Sequence, residues 1–169
     1  GVLYLKAGLE ISPLIGGGGQ ESGLRAGTEN VPGIIGLAAA LDNAQARRAG
    51  EVKRLGELRE LFIAELKSKV PGVMINGSSK HSARHIVSAT FAGQDNERLM
   101  MELDEAGVQC ATGSACHAGI GASSHVLKAI GLTDAQARST LRFSLGRPTT
   151  RQNILETADR IAGIIGRNR

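Results

Sequence analysis

Cys116 lies in Ala111-Thr-Gly-Ser-Ala-Cys-His-Ala-Gly119, a run of small residues that leaves nothing bulky beside its sulfur. Glycines at 113, 119 and 121 free the backbone around it, so the spacing describes an accessible thiol on a bendable loop. Such a thiol suits nucleophilic attack, because the thiolate is the reacting form and needs an open approach. The bland alternative is a small apolar residue filling space. The other cysteine, Cys110, closes Gly107-Val-Gln-Cys-Ala111 and reads as buried filler on a strand at Val108 to Cys110. A second chemical group is Arg142. Alternation in Thr140-Leu-Arg-Phe-Ser-Leu-Gly146 puts Leu141, Phe143 and Leu145 on one face and Thr140, Arg142 and Ser144 on the other. A guanidinium held on a rigid strand away from the core suits bidentate pairing with a carboxylate, the alternative being a structural ion pair at a sheet edge. A third stretch follows the glycines at 16 to 19: Gln20-Glu-Ser-Gly-Leu-Arg-Ala-Gly-Thr-Glu-Asn30. Its backbone N–H groups, a hydroxyl and a guanidinium could meet an anion such as phosphate, although a plain surface loop is the commoner use of such a stretch.

These groups need elements to position them. Gly1-Val-Leu-Tyr-Leu5 reads as a buried strand at the very start of the chain, with Gly8 and Pro13 breaking the segment after it. From Ile34 the apolar residues recur at three and four, through Leu37, Ala38 and Leu41 and again through Leu55, Leu58, Leu61, Phe62 and Leu66. That spacing predicts one long helix, or two separated near Gly50, ended by Pro71-Gly72. Its charged residues, among them Arg47, Arg48, Lys53, Arg54, Glu57, Arg59, Glu60 and Glu65, read as a solvated face. Val73-Met-Ile75 is a short strand, Asn76-Gly-Ser-Ser79 a turn, and His85 to Phe91 a second strand with Val87, Ala89 and Phe91 on one face. A helix from about Asp95 to Ala106 carries Leu99, Met100 and Leu103 on its apolar side. Ser123 or Ser124 can cap a short helix ending at Gly131. Thr133 with Gln136, and Thr149 with Gln152, form capping boxes. The last of these opens an amphipathic helix through Ile154, Ala158, Ile161 and Ile165.

Composition narrows the function classes. With 41% apolar and 21% charged residues over 169 positions, the chain has the makings of one ordinary core, aliphatic and alanine-rich, since it holds one Tyr, three Phe and no Trp. A net charge of +4 on scattered Lys and Arg, without interleaved aromatics, argues against nucleic acid. Two cysteines make neither a disulfide framework nor a zinc knuckle, no metal site is indicated, and no apolar run approaches a membrane span. The cytoplasm is the default location.

Three stretches in one order carry a family resemblance: Gly17-Gly-Gly-Gln-Glu-Ser-Gly-Leu-Arg-Ala-Gly-Thr-Glu-Asn-Val-Pro-Gly33, Thr112-Gly-Ser-Ala-Cys116 with Ser124-His-Val-Leu127, and Leu141-Arg-Phe-Ser-Leu-Gly-Arg147. Together they resemble the C-terminal part of a cysteine desulfurase of the NifS/IscS type, a class V aminotransferase of PLP fold type I. The resemblance implies that L-cysteine is split to L-alanine, with the sulfur left as a persulfide on an enzyme cysteine for iron–sulfur cluster assembly or tRNA thiolation. By motif match that cysteine is Cys116, Arg142 binds the substrate carboxylate, and Thr28 reaches the phosphate of pyridoxal 5'-phosphate (PLP) in the neighbouring subunit of a homodimer. A sulfur-acceptor or scaffold protein is the further partner implied. His117 departs from the small hydroxyl residue more usual after the cysteine, and an imidazole there could tune the thiol; a surface histidine is the alternative. His125 matches the same segment and reads as orienting it.

The resemblance also implies a division of the chain. Residues 1–33 resemble a remnant of the large PLP-binding domain, 34–69 a connecting long helix, and 70–169 the small C-terminal α/β domain with the cysteine loop. The family's PLP-binding lysine precedes the strand that Gly1–Leu5 resembles, whereas Lys6 follows it, so this chain is expected to be a fragment inactive alone. Without that large domain, its first segment is expected to be disordered, repacked or swapped. Selenocysteine lyase, cysteine sulfinate desulfinase and a non-catalytic module that binds a sulfur acceptor are alternative readings.

Overall fold

The computed structural model describes residues 1–78, 81–112 and 124–168. They divide into two compact units, Gly1–Ala49 and Gly50–Arg169, and one 39-residue helix, α1 (Val31–Lys69), runs through the division. The periodicity that allowed one helix or two is satisfied by one. Gly50 lies inside it, at the modest cost a glycine carries within a helix.

In the first unit, the polar loop closes on itself before α1 begins. The Ala26 N–H donates to the Ile15 carbonyl (3.5 Å), and the Gly27 N–H donates to the Gln20 side-chain oxygen (3.3 Å). A short 3-10 turn, Gln20–Gly23, contains two non-glycine residues in the left-handed region, Glu21 (φ 50°) and Ser22 (φ 58°). Such residues carry strain of order 1 kcal/mol each and persist only where the surroundings hold them. The Asn30 side-chain oxygen then accepts from the Gly33 N–H (3.1 Å), an N-cap arrangement that starts α1. Gly1–Leu5 does not form the strand its apolar residues predict. No other strand exists in residues 1–49 to lend it an edge, and Tyr4 is exposed.

The second unit is a four-stranded antiparallel sheet in the order β1 (Val73–Ile75), β2 (Ile86–Phe91), β4 (Thr140–Ser144), β3 (Ala111–Thr112). Alternation sorts its side chains. Val87, Ala89 and Phe91 of β2 and Leu141 and Phe143 of β4 are buried with Leu145 in one cluster. That cluster also takes the apolar stripes of the second half of α1, of α2 (Asn96–Glu105) and of α5 (Arg151–Arg167). Phe143 sits at its centre, edge-on to Phe62 of α1 (centroids 5.2 Å apart) and to Phe91 (6.4 Å). Gly72, at φ +80°, makes the turn after α1 that a residue with a Cβ would resist.

Several expectations are corrected by hydrogen bonding. The strand expected at Val108–Cys110 forms instead at Ala111–Thr112, because the Val108 N–H bonds to the Leu103 carbonyl (2.8 Å) and so belongs to the turn after α2. Thr140, expected on the solvent side, is buried. Its hydroxyl donates to the Gln136 carbonyl (2.7 Å) and meets that of Thr90 (2.7 Å), so neither polar group is left unsatisfied. The cap of α5 is Thr150 with Asn153, not Thr149 with Gln152. Thr149 is already engaged, its hydroxyl accepting from the Gly146 N–H (2.9 Å). The box at Thr133 and Gln136 forms as expected and opens α4 (Asp134–Ala137). Ser124 stands at the cap position of α3 (His125–Ala129), but its side chain makes no cap hydrogen bond. Arg59 leaves the expected solvated face of α1: it is buried, with its Nε donating to the Ile86 carbonyl (3.0 Å).

Candidate functional site

β4 positions Arg142. It lies inside the sheet, with Ser88 of β2 opposite Arg142 on one side and Ala111 of β3 opposite it on the other. The sheet-edge placement considered for this arginine therefore does not hold. Leu141 and Phe143, its neighbours in sequence, are buried, while Arg142 is exposed on the face away from the core. Among the described residues none forms an ion pair or hydrogen bond with its guanidinium. Among them nothing competes with an external anion for the side chain.

Cys116 and His117 lie outside the described residues. The anchors on either side of their segment are described. Thr112 pairs with Leu141 in β3–β4, one rung from Arg142, and Ser124 is buried where α3 begins. The structure thus brings Arg142 beside the strand that leads into the cysteine segment. His125, the first residue of α3, is exposed. Cys110 is half-buried rather than fully buried, and burial, with a smaller contribution from the Asp104 charge, pushes its thiol up to about 11. At neutral pH it stays protonated and unreactive.

Thr28 belongs to the first unit. It is exposed, no described residue takes up its hydroxyl, and it follows Gly27, whose φ of +99° makes the preceding bend. Nearby, a Cβ added at Gly17 would come within 2.8 Å of the Ala26 Cβ, so the loop is packed where the glycines approach it. The donors of this loop, hydroxyl and backbone N–H, are those a phosphate accepts from. They fit the phosphate end of a cofactor and no more than that.

One structural tie escaped sequence reading. Arg54 of α1 donates to the carbonyls of Gly146 (3.2 Å), Arg147 (3.2 Å) and Thr149 (2.8 Å), while Glu51 pairs with it at 2.9 Å and raises its pKa. It ties the exit of β4 to α1. A charged residue on an amphipathic helix gives no signal of such a role, because its partners are backbone atoms some ninety residues away in sequence. A cleft of about 310 Å³ lies between the end of β4 and α5, lined by Phe143, Thr149, Asn153 and Arg160 but not by Arg142. Arg160 is engaged there with the Ala106 carbonyl (2.8 Å).

The model of the family described as Aminotransferase class-V matches residues 1–156. The chain belongs to the class-V aminotransferases. Within this family it is 40% identical over 165 residues to cysteine desulfurase IscS of Dictyoglomus turgidum, covering 98% of this chain and 42% of that protein. Among solved structures it is similar to a NifS-like protein (TM-score 0.82, 30% identity, 96% of this chain and 41% of that one). It is also similar to a structure titled SspA in complex with cysteine (TM-score 0.53, 31% identity, 82% and 36%). These likenesses place the mixed α/β fold among NifS-like PLP fold type I enzymes. The class-V chain described here spans about two fifths of the length of the relatives it matches. Among its described residues no helix is long and apolar enough to cross a membrane, and no cluster of His, Cys, Asp and Glu is arranged to hold a metal ion.

Proposed function

We propose that these residues form the C-terminal part of a PLP-dependent cysteine desulfurase, a longer enzyme that converts L-cysteine to L-alanine. The observation that carries this reading is Arg142: a guanidinium that no described residue pairs, on an interior strand, beside the strand that leads into Cys116. Cys116 lies four residues beyond Thr112, so the covalent chain keeps it within about 14 Å of that anchor. That tether allows the substrate carboxylate on Arg142 and the nucleophile on the adjoining segment to meet on one small molecule.

In this reading Arg142 holds the α-carboxylate and aims the substrate side chain. The Cys116 thiolate attacks the substrate sulfur, forming a sulfur–sulfur bond. The substrate carbon–sulfur bond breaks, its electron pair stays with carbon, and a proton replaces the sulfur to give alanine. PLP, when bound, supplies the electron sink for that cleavage. From this chain Thr28 would hold the phosphate of a neighbouring subunit's cofactor, which makes a homodimer part of the proposal. The remaining parts of the site fall to the rest of the enzyme, and this chain alone is expected to be inactive. His117 is proposed to favour the thiolate. The persulfide then passes to an acceptor protein, for iron–sulfur cluster assembly or tRNA thiolation, in the cytoplasm.

The similarity to relatives called cysteine desulfurase, and to a structure with bound cysteine, supports L-cysteine over a selenium or sulfinate analogue. The test is persulfide mapping in the longer enzyme after exposure to L-cysteine without reductant. The peptide containing Cys116 should gain the mass of one sulfur atom, and Cys116→Ser should abolish both that gain and sulfide release. Sulfur found on Cys110, or on neither cysteine, would overturn the assignment.

A further inference from the structure

Resting on the reading of Arg142 as a carboxylate binder, we propose that the Ser88 hydroxyl is the second donor to the same carboxylate. The two together make this sheet face a recognition element for α-amino acids. Three observations converge on Ser88. The first is register: Ser88 stands directly opposite Arg142, where side chains of antiparallel neighbours lie about 5 Å apart at Cβ. Ala111, on the other side of Arg142, is small. A ligand above Arg142 thus meets a hydroxyl on one flank and a methyl on the other.

The second observation is the order of protons in the hydrogen bonds beside it. The Thr140 hydroxyl donates to the Gln136 carbonyl (2.7 Å), so its contact with Thr90 (2.7 Å) must be one in which Thr140 accepts. Thr90 has then used its only proton, so of its two approaches to the Asn76 side chain, to Oδ1 at 3.2 Å and to Nδ2 at 2.9 Å, the shorter is the hydrogen bond, and there Thr90 accepts. That fixes the orientation of the amide. Its other N–H donates to the Ser88 oxygen (3.1 Å). Every proton in the chain from Gln136 to Ser88 is therefore assigned, and Ser88 is left accepting from Asn76 with its own proton unspent. No described residue accepts that proton.

The third observation is support from the backbone. The Asn76 N–H donates to the Ser88 carbonyl (2.9 Å), extending the β1–β2 ladder by one residue and placing Asn76, Ser88, Arg142 and Ala111 in one row across the sheet. Ser88 is half-buried in that row, fixed at its backbone and at its oxygen. A hydroxyl with its proton unspent, beside a guanidinium that no described residue pairs, offers two kinds of donor, and a carboxylate is the group of matching chemistry.

The test compares isosteres. Amide and guanidinium signals of the isotope-labelled 169-residue chain are followed by NMR during titration with L-cysteine under reducing conditions. Cysteamine, which has the same thiol and amine but lacks the carboxylate, is titrated in parallel. Signals of Ser88 and Arg142 should shift and saturate with L-cysteine and not with cysteamine. Ser88→Thr should bind L-cysteine close to the unsubstituted chain, whereas Ser88→Val, of the same shape without the hydroxyl, should bind it roughly tenfold more weakly, as expected for a lost bond to a charged group. Equal affinity of the two variants, with Arg142→Ala abolishing saturation, would overturn the role of Ser88 and leave that of Arg142 standing. Saturation that persists in Arg142→Ala, or none in the unsubstituted chain, would overturn both.

Discussion

Along α1, Ile34, Leu37 and Leu41 remain 49%, 39% and 60% exposed, whereas Leu58, Phe62 and Leu66, also at helical spacing further on, are 9%, 1% and 0% exposed. One helix carries both stripes. Spacing decides which residues share a face, and burial depends on what faces them. In residues 50–169 the sheet, α2 and α5 supply apolar surface to the second stripe. In residues 1–49 only Ala26 is buried, and order rests on loop hydrogen bonds and on a helix cap. Apolar spacing thus reports the type of an element, and packing decides how much it stabilises.

The contrast is open to experiment in urea denaturation of the 169-residue chain. Phe62→Ala is expected to lower stability by about 3–5 kcal/mol, through lost burial and the cavity left against Phe143. Ile34→Ala, at an exposed position where alanine is the better helix former, should change it by at most ~0.5 kcal/mol. Comparable losses for both would break the contrast. A smaller effect sharpens it: Thr150→Ala removes the cap of α5 and should cost about 1 kcal/mol in the same experiment, against little change for Gln152→Ala. The smallest effect is that of Cys110, whose thiol is raised from 9.0 to about 11 by burial. Its folded form keeps the proton where the unfolded form loses it, so its contribution is fully present below pH 9 and is lost as pH rises toward 11. In a Cys116→Ser variant, alkylation of Cys110 should climb through the same window. Full alkylation at neutral pH would show that the thiol is not buried as described.

The elements that could be read from sequence are those whose signal is local. β2, α2 and α5 stand where alternation and three-four spacing put them, and the box at Thr133 and Gln136 closes as its residue types require. Several of the misreadings involve a partner distant in sequence or already taken. Thr140 reads as a solvent-facing hydroxyl until Thr90, fifty residues away, accounts for its burial. Arg59 reads as a solvated charge until the Ile86 carbonyl is seen to accept from it. Gly1–Leu5 has the composition of a strand, yet pairing needs an edge that residues 1–49 do not contain. In the candidate site, the outward direction of Arg142 follows from alternation alone. Its interior place in the sheet, and the Ser88 and Ala111 beside it, follow only from the pairing of strands.

The parity of β4 also bears on how faithfully the protein is made. Arg142 and Phe143 are consecutive and face opposite ways, so losing or gaining one residue within the strand would turn the guanidinium inward and the phenyl ring outward together. A chain with that error could not assemble the core on which Phe62 and Phe91 converge, and it would fall to proteolysis before it could act. The strand thereby links the two faces: a copy in which Phe143 has reached the core also presents position 142 on the exposed face.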